Sequence, residues 1–128
     1  MEKSIDFNKC NALVFAYVGD AVIELFARRS VIGDGGGKIS DFNTAAKKYV
    51  TAVSQSAAVE RVMPHLTEDE TRIFKYGRNA KGVHTPKSAS AIEYRRATGL
   101  ECLFGYLYLS DNIDRAKCLF DIAYWTED

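Results

Sequence analysis

Apolar residues along this chain recur at helical spacing, and no stretch alternates in the way a half-buried strand does. The longest apolar run, residues 12–27, reads ALVFAYVGDAVIELFA. Asn8 or Asn11 is placed to cap it, and the periodicity carries the helix to about Val31. Residues 33–38, GDGGGK, form a flexible loop. Ser40 or Asp41 is the expected cap of a second helix reaching Tyr49 or Val50. A third covers 52–63 and stops before Pro64. Thr67 and Glu70 have the spacing of a capping box, which opens a fourth helix over 68–78. Residues 79–88, with Gly82 and Pro86, read as an exposed loop. A fifth helix spans 89–109, and Asp111 or Asn112 starts a sixth that ends near Trp125. The expectation is an all-α helical bundle forming one domain over residues 1–128.

Two of these helices carry acids in apolar surroundings. Asp20 and Glu24 are four residues apart, so they share one face of the first helix, with Leu13, Ala16 and Tyr17 nearby. A helix apolar nearly all round is expected to be buried. Asp20 would then be a buried carboxylate that must be paired, hydrogen-bonded or bound to a metal ion. In the fifth helix, residues 100–109 read LECLFGYLYL, with Glu101 as the only charge. Gly99 and Gly105 lie within this helix, although a helical glycine costs about 1 kcal/mol relative to alanine. Close approach of another backbone is a physical reason to keep them, and Gly19 beside Asp20 has the same character. The two helices are therefore expected to cross near their glycines and bring Asp20 and Glu101 together. Tyr94, Thr98 and Gly105 would share the Glu101 face.

Two carboxylates on facing helices make a hard-oxygen site suited to Mg2+, with Mn2+ as the alternative ion. From the residues alone, a structural network in which each acid pairs with Arg28, Arg95 or a tyrosine hydroxyl is an equal reading. His65 and His84 are solitary, and no His or Cys pair has zinc-ligand spacing. The glycine loop does not follow a strand and lacks the G-K-[ST] ending of a phosphate-binding loop.

The net charge is zero, but it is unevenly spread. Residues 72–96 hold seven basic side chains against Glu93 alone, which points to a polyanionic partner. Within that segment Arg78, Asn79 and Lys81 lead into His84, Thr85 and Lys87, a set suited to phosphate and sugar contacts and without a base-reading pattern. The polar N-terminus is no secretory signal, and the apolar run that ends at Gly19 is too short to span a membrane. Cys10, Cys102 and Cys118, an odd number without C-x-x-C spacing, read as reduced thiols of a cytoplasmic protein.

Three motifs carry a family resemblance. Tyr17-Val18-Gly19-Asp20-Ala21-Val22 resembles the F-L-G-D-A-V signature of ribonuclease III. With the G-R-N-A-K run at residues 77–81 and Glu-(x)3-Gly-Tyr-Leu-Tyr-Leu at 101–109, the chain is similar to the Mini-ribonuclease III family. The resemblance implies an all-helical endonuclease domain without a double-stranded RNA-binding domain. It implies a magnesium-dependent homodimer that cuts double-stranded RNA and trims the 23S ribosomal RNA precursor. Asp20 would be the signature aspartate and Glu101 the second metal-binding carboxylate. Ala16 and Thr98 stand where full-length ribonuclease III has further acids, and Tyr76 where arginine is frequent. A large-subunit ribosomal protein is a candidate further partner. The alternative is a helical module that binds double-stranded RNA or serves ribosome assembly without catalysis.

Overall fold

The computed structural model describes residues 4–81 and 90–124. Within them lie six α-helices and no strand: α1 (Ala12–Val31), α2 (Ile39–Lys47), α3 (Ala52–Val62), α4 (Glu68–Arg78), α5 (Ala91–Leu109) and α6 (Ile113–Tyr124). Short 3-10 turns, Phe7–Lys9 and Met63–His65, precede α1 and follow α3. The chain folds around α5, which packs along α1 on one side and against α4, α3 and α6 on the others. Ile23, Phe26, Val59, Val62, Phe74, Leu103, Phe104, Leu119 and Phe120 form the main core. Phe15 and Cys102 anchor a second, smaller cluster near the start of α1, closed by the rings of Phe7 and Tyr106.

The helix ends show why these residues make these elements. Asn11 caps α1, its side-chain oxygen accepting from Val14 N at 3.0 Å. The capping box of α4 is formed: Thr67 Oγ1 accepts from Glu70 N at 3.1 Å, and Glu70 Oε1 accepts from Thr67 N at 2.9 Å. A second box, Ser90 with Glu93, opens α5. The end of α3 lies at Val62, and Pro64 sits in the 3-10 turn that follows.

Two expectations need correction. Neither Ser40 nor Asp41 caps α2; the cap position is Lys38, with no side-chain hydrogen bond. The helix starts earlier, the Asp41 and Phe42 amides both donating to the Lys38 carbonyl at 3.1 Å, and Phe42 packs on Gly37, where an added Cβ would lie 2.8 Å from the ring. Asn112 precedes α6 as expected, its carbonyl accepting from Ala116 N at 3.1 Å, and Asp111 and Asn112 also stop α5. Asp111 adopts the left-handed conformation (φ 62°), and the amides of Asn112 and Asp111 return to the carbonyls of Leu107 at 2.7 Å and Tyr108 at 3.1 Å. Nor is α1 buried all round. Gly19, Ile23, Phe26 and Ala27 face α5 and the core, while Leu13, Val14, Tyr17 (81% exposed) and Leu25 (62% exposed) lie open on the opposite side. Apolar character alone cannot tell a helix enclosed by its own chain from one with a bare apolar face.

The last helix is tied down by polar contacts as well as by Leu119 and Phe120. Tyr124 Oη donates to the Tyr49 carbonyl at 2.9 Å, and Arg61 Nη1 donates to the Ala123 carbonyl at 2.7 Å. Arg115 forms a two-pronged pair with the buried Glu70 at 2.8 and 2.9 Å. That guanidinium holds the Glu70 carboxyl below the usual carboxylate range.

Candidate active site

The site grows from the crossing of α1 and α5. A Cβ on Gly19 would lie 1.6 Å from the Glu101 carbonyl oxygen, and one on Gly105 would lie 1.8 Å from the Phe15 carbonyl oxygen. No side chain fits at either point, so the backbones touch and glycine is required on both helices. Asp20 follows Gly19, and Glu101 lies one turn before Gly105. The crossing thus fixes the two carboxyl groups against each other, within hydrogen-bonding reach. Gly99 serves a different seam, meeting Gly77 and Phe74 of α4, so α5 uses one glycine against α1 and another against α4.

The two acids occupy unlike surroundings. Asp20 is exposed, which corrects the expectation of a buried aspartate; it sits at the edge of the packed face of α1. Glu101 lies beneath it, largely enclosed. Burial pushes the Glu101 carboxyl up to about 8, with the charge of Asp20 and the hydrogen bond between the two acids adding to the rise. The Gln55 side chain opposes that rise weakly. Arg28 is not a partner of the pair: it binds Glu24 on the open face of α1 at 2.9 Å. Arg95 turns to a hollow between α3, α4 and α5. Tyr124 feels the Glu101 charge, but burial is the main cause of its raised pKa, and its hydroxyl is bound to Tyr49.

Among the described residues, no further acid joins the pair. Ala16 is buried, and the Thr98 hydroxyl donates to the Tyr94 carbonyl at 2.9 Å. Among the described residues no group of three or more His, Cys, Asp or Glu gathers to hold an ion. A two-carboxylate site open on one side still fits Mg2+, which keeps several waters and is bound through one or two carboxylates plus substrate phosphate.

Sequence reasoning missed Gln55. It is 2% exposed, its Nε2 is buried without a hydrogen-bond partner, and it faces the Glu101 carboxyl. The signal was available: Gln55 precedes Ala58, Val59 and Val62 by three, four and seven residues and so stands on the apolar stripe of α3.

The basic side chains divide between two hollows. Arg78 lies 6.0 Å from the Phe74 ring centroid, and its Nε donates to Asn79 Oδ1 at 3.2 Å. With Arg95 and Arg96 it rims a hollow of about 370 Å³ floored by Val59, Met63, Phe74 and Ile92. Lys81 lines a second hollow, of about 540 Å³, with Arg72, Lys75 and Tyr76 beside the first turn of α1. Asn79 borders both. His84, Thr85 and Lys87 lie outside the described residues.

Known proteins resemble this chain in sequence and fold. The Ribonuclease III domain family matches residues 13–112. Mini-ribonuclease 3 of Symbiobacterium thermophilum is 44% identical over 111 residues, covering 87% of this chain and 85% of the relative. Mini-ribonuclease 3 of Brevibacillus brevis is 41% identical over 114 residues, covering 89% and 85%. A crystallised protein from Fusobacterium nucleatum superposes with a TM-score of 0.82 at 31% identity, over 93% of this chain and 95% of that one.

Proposed function

The chain belongs to the ribonuclease III family, in its Mini-ribonuclease 3 branch, and is an endoribonuclease; from that premise we propose that it hydrolyses double-stranded RNA with Asp20 and Glu101 as its catalytic, metal-binding pair. The observation that carries this reading is the contact of the two carboxyl groups at the Gly19–Gly105 crossing. Without a counter-charge, two adjacent acids cannot both ionise at low cost, and a divalent cation removes that conflict. Mg2+, with Mn2+ as the alternative, suits the donor set. When bound, such an ion supplies an activated water and charge neutralisation at the scissile phosphate.

The remaining residues bind and orient. Arg78, Asn79 and Lys81 hold the RNA backbone across the two hollows, and Arg72 and Lys75 extend the cationic track along α4. His84, Thr85 and Lys87 are assigned to the same surface on their sequence alone. Phosphate contacts of this kind read A-form shape rather than sequence. The open apolar stripe of α1, with Val14, Tyr17 and Leu25, is the surface for a second copy of the chain. Asp20 borders that stripe, so two-fold pairing sets both acidic sites at a fixed separation, as cutting two strands requires. The resemblance of the three motifs supports the 23S ribosomal RNA precursor as substrate and the cytoplasm as location. No described helix is long and apolar enough to cross a membrane.

The test is incubation with a perfect RNA duplex, first with Mg2+ and then with a chelator. Staggered cuts on both strands that vanish with the chelator are expected. Binding of the duplex with no cleavage at any Mg2+ concentration would refute the assignment.

A further inference from the structure

Gln55 is unexplained by packing. It occupies the core-facing stripe of α3, between the main core and the floor of the acidic pair, where Ala58, Val59 and Val62 are its neighbours on the helix. A buried amide N–H with no partner is rare in folded proteins and destabilises the chain that keeps it. It is also the one buried side-chain donor or acceptor without a partner among the described residues. A leucine or methionine would fill similar volume without that penalty. What sets the position apart is that this buried amide neighbours the Glu101 carboxyl, which the exposed Asp20 also neighbours.

We propose that Gln55 is a positioning residue: its Nε2–H, without a partner in this structure, donates to the inner oxygen of Glu101 when a divalent cation is bound, so that the outer oxygen is turned toward Asp20 and the cation. This rests on reading Asp20 and Glu101 as the metal-binding pair. A cation at the pair draws on the lone pairs that face solvent, and the inner oxygen then needs a donor from the protein side. With Ala16 and Thr98 adding no ligand, the site has two carboxylates and little redundancy. The orientation of each then matters more than in a site with four. Outer hydrogen bonds of this type fix the direction of a ligating carboxylate, and losing one typically weakens metal binding about 10- to 100-fold.

The test is direct Mn2+ titration of the RNA-free protein by electron paramagnetic resonance, on wild type, Gln55→Leu and Gln55→Met. The thermal midpoint of each is measured alongside, as is duplex binding in chelator. Both variants are expected to keep or raise the thermal midpoint and to bind duplex RNA as wild type does. Both should need at least about tenfold more Mn2+ for half-saturation. In cleavage, kcat at fixed Mg2+ should fall while KM for RNA holds. If Gln55 only fills space, Gln55→Met restores Mn2+ binding to the wild-type value, and that result overturns the proposal. Wild-type protein that takes up no Mn2+ removes the acidic site itself, and this inference with it. Wild-type binding with unchanged variants removes the inference alone.

Discussion

Replacing Glu101 by glutamine should stabilise the metal-free protein at alkaline pH while it destroys the active site. The folded pKa of Glu101, about 8, lies above its ordinary value of 4.5. Between those values the folded chain binds a proton that the unfolded chain has released, so stability falls as pH rises. At about 1.4 kcal/mol per pH unit, levelling off above 8, this group alone removes roughly 3 kcal/mol between pH 6 and pH 9. Water reaching the pair from the side of Asp20 lowers that figure to on the order of 2 kcal/mol. For a domain of this size, 2 kcal/mol corresponds to roughly 8 °C in the thermal midpoint. Glutamine is isosteric with the protonated acid and has no such slope. Circular dichroism melts in chelator at pH 6 and pH 9, at one fixed protein concentration, should show wild type losing that much more than Glu101→Gln. Adding Mg2+ at pH 9 should recover stability in wild type only, by about 2.7 kcal/mol at a hundred times the dissociation constant. Parallel pH dependences for the two proteins would refute the reasoning, because Glu101 could then be neither buried nor coupled to Asp20.

Other outcomes follow from the same geometry. Gly105→Ala forces a Cβ to 1.8 Å from the Phe15 carbonyl and should cost about 3 kcal/mol in urea unfolding, with loss of Mg2+-dependent cleavage. Arg115→Leu strands the buried Glu70 carboxylate and should cost about 3 kcal/mol at pH 7. Because Arg115 holds Glu70 below its ordinary 4.5, the stabilisation is full above that value and is lost as pH falls through the lower folded one; the wild-type advantage should shrink in acid. Lys81→Gln should weaken duplex binding and reduce the slope of log affinity against log salt by about 1, read from filter binding at several salt concentrations. Tyr17→Asp on the open stripe of α1 should yield a monomer by light scattering.

Much of the helical layout was legible because caps and breakers are local chemistry. Thr67 and Glu70 marked the start of α4 to the residue, and of the two candidate caps for α1, Asn8 and Asn11, the structure uses Asn11. The Ser90–Glu93 box carries the same kind of signal for α5 but was not read, and the helix was expected from residue 89 rather than Ala91. The glycine crossing was legible for a different reason. Gly19 and Gly105 are unfavourable in isolated helices, so an inter-helix contact had to justify them, and the structure supplies it. Burial was not legible. The apolar residues of α1 look alike in sequence whether they face α5 or water, which is why Asp20 was expected inside and lies outside. Gln55 went unseen because its meaning depends on Glu101, forty-six residues away, and only the packing of α3 against α5 joins them.

The most direct test of the acidic pair is single-turnover cleavage of a perfect RNA duplex by Asp20→Asn in Mg2+, with duplex affinity measured in parallel. Asp20 is exposed and its replacement is close to isosteric, so folding and binding should be unchanged. Cleavage abolished with affinity intact is the result the convergence of Asp20 and Glu101 predicts. Cleavage at the wild-type rate would contradict it.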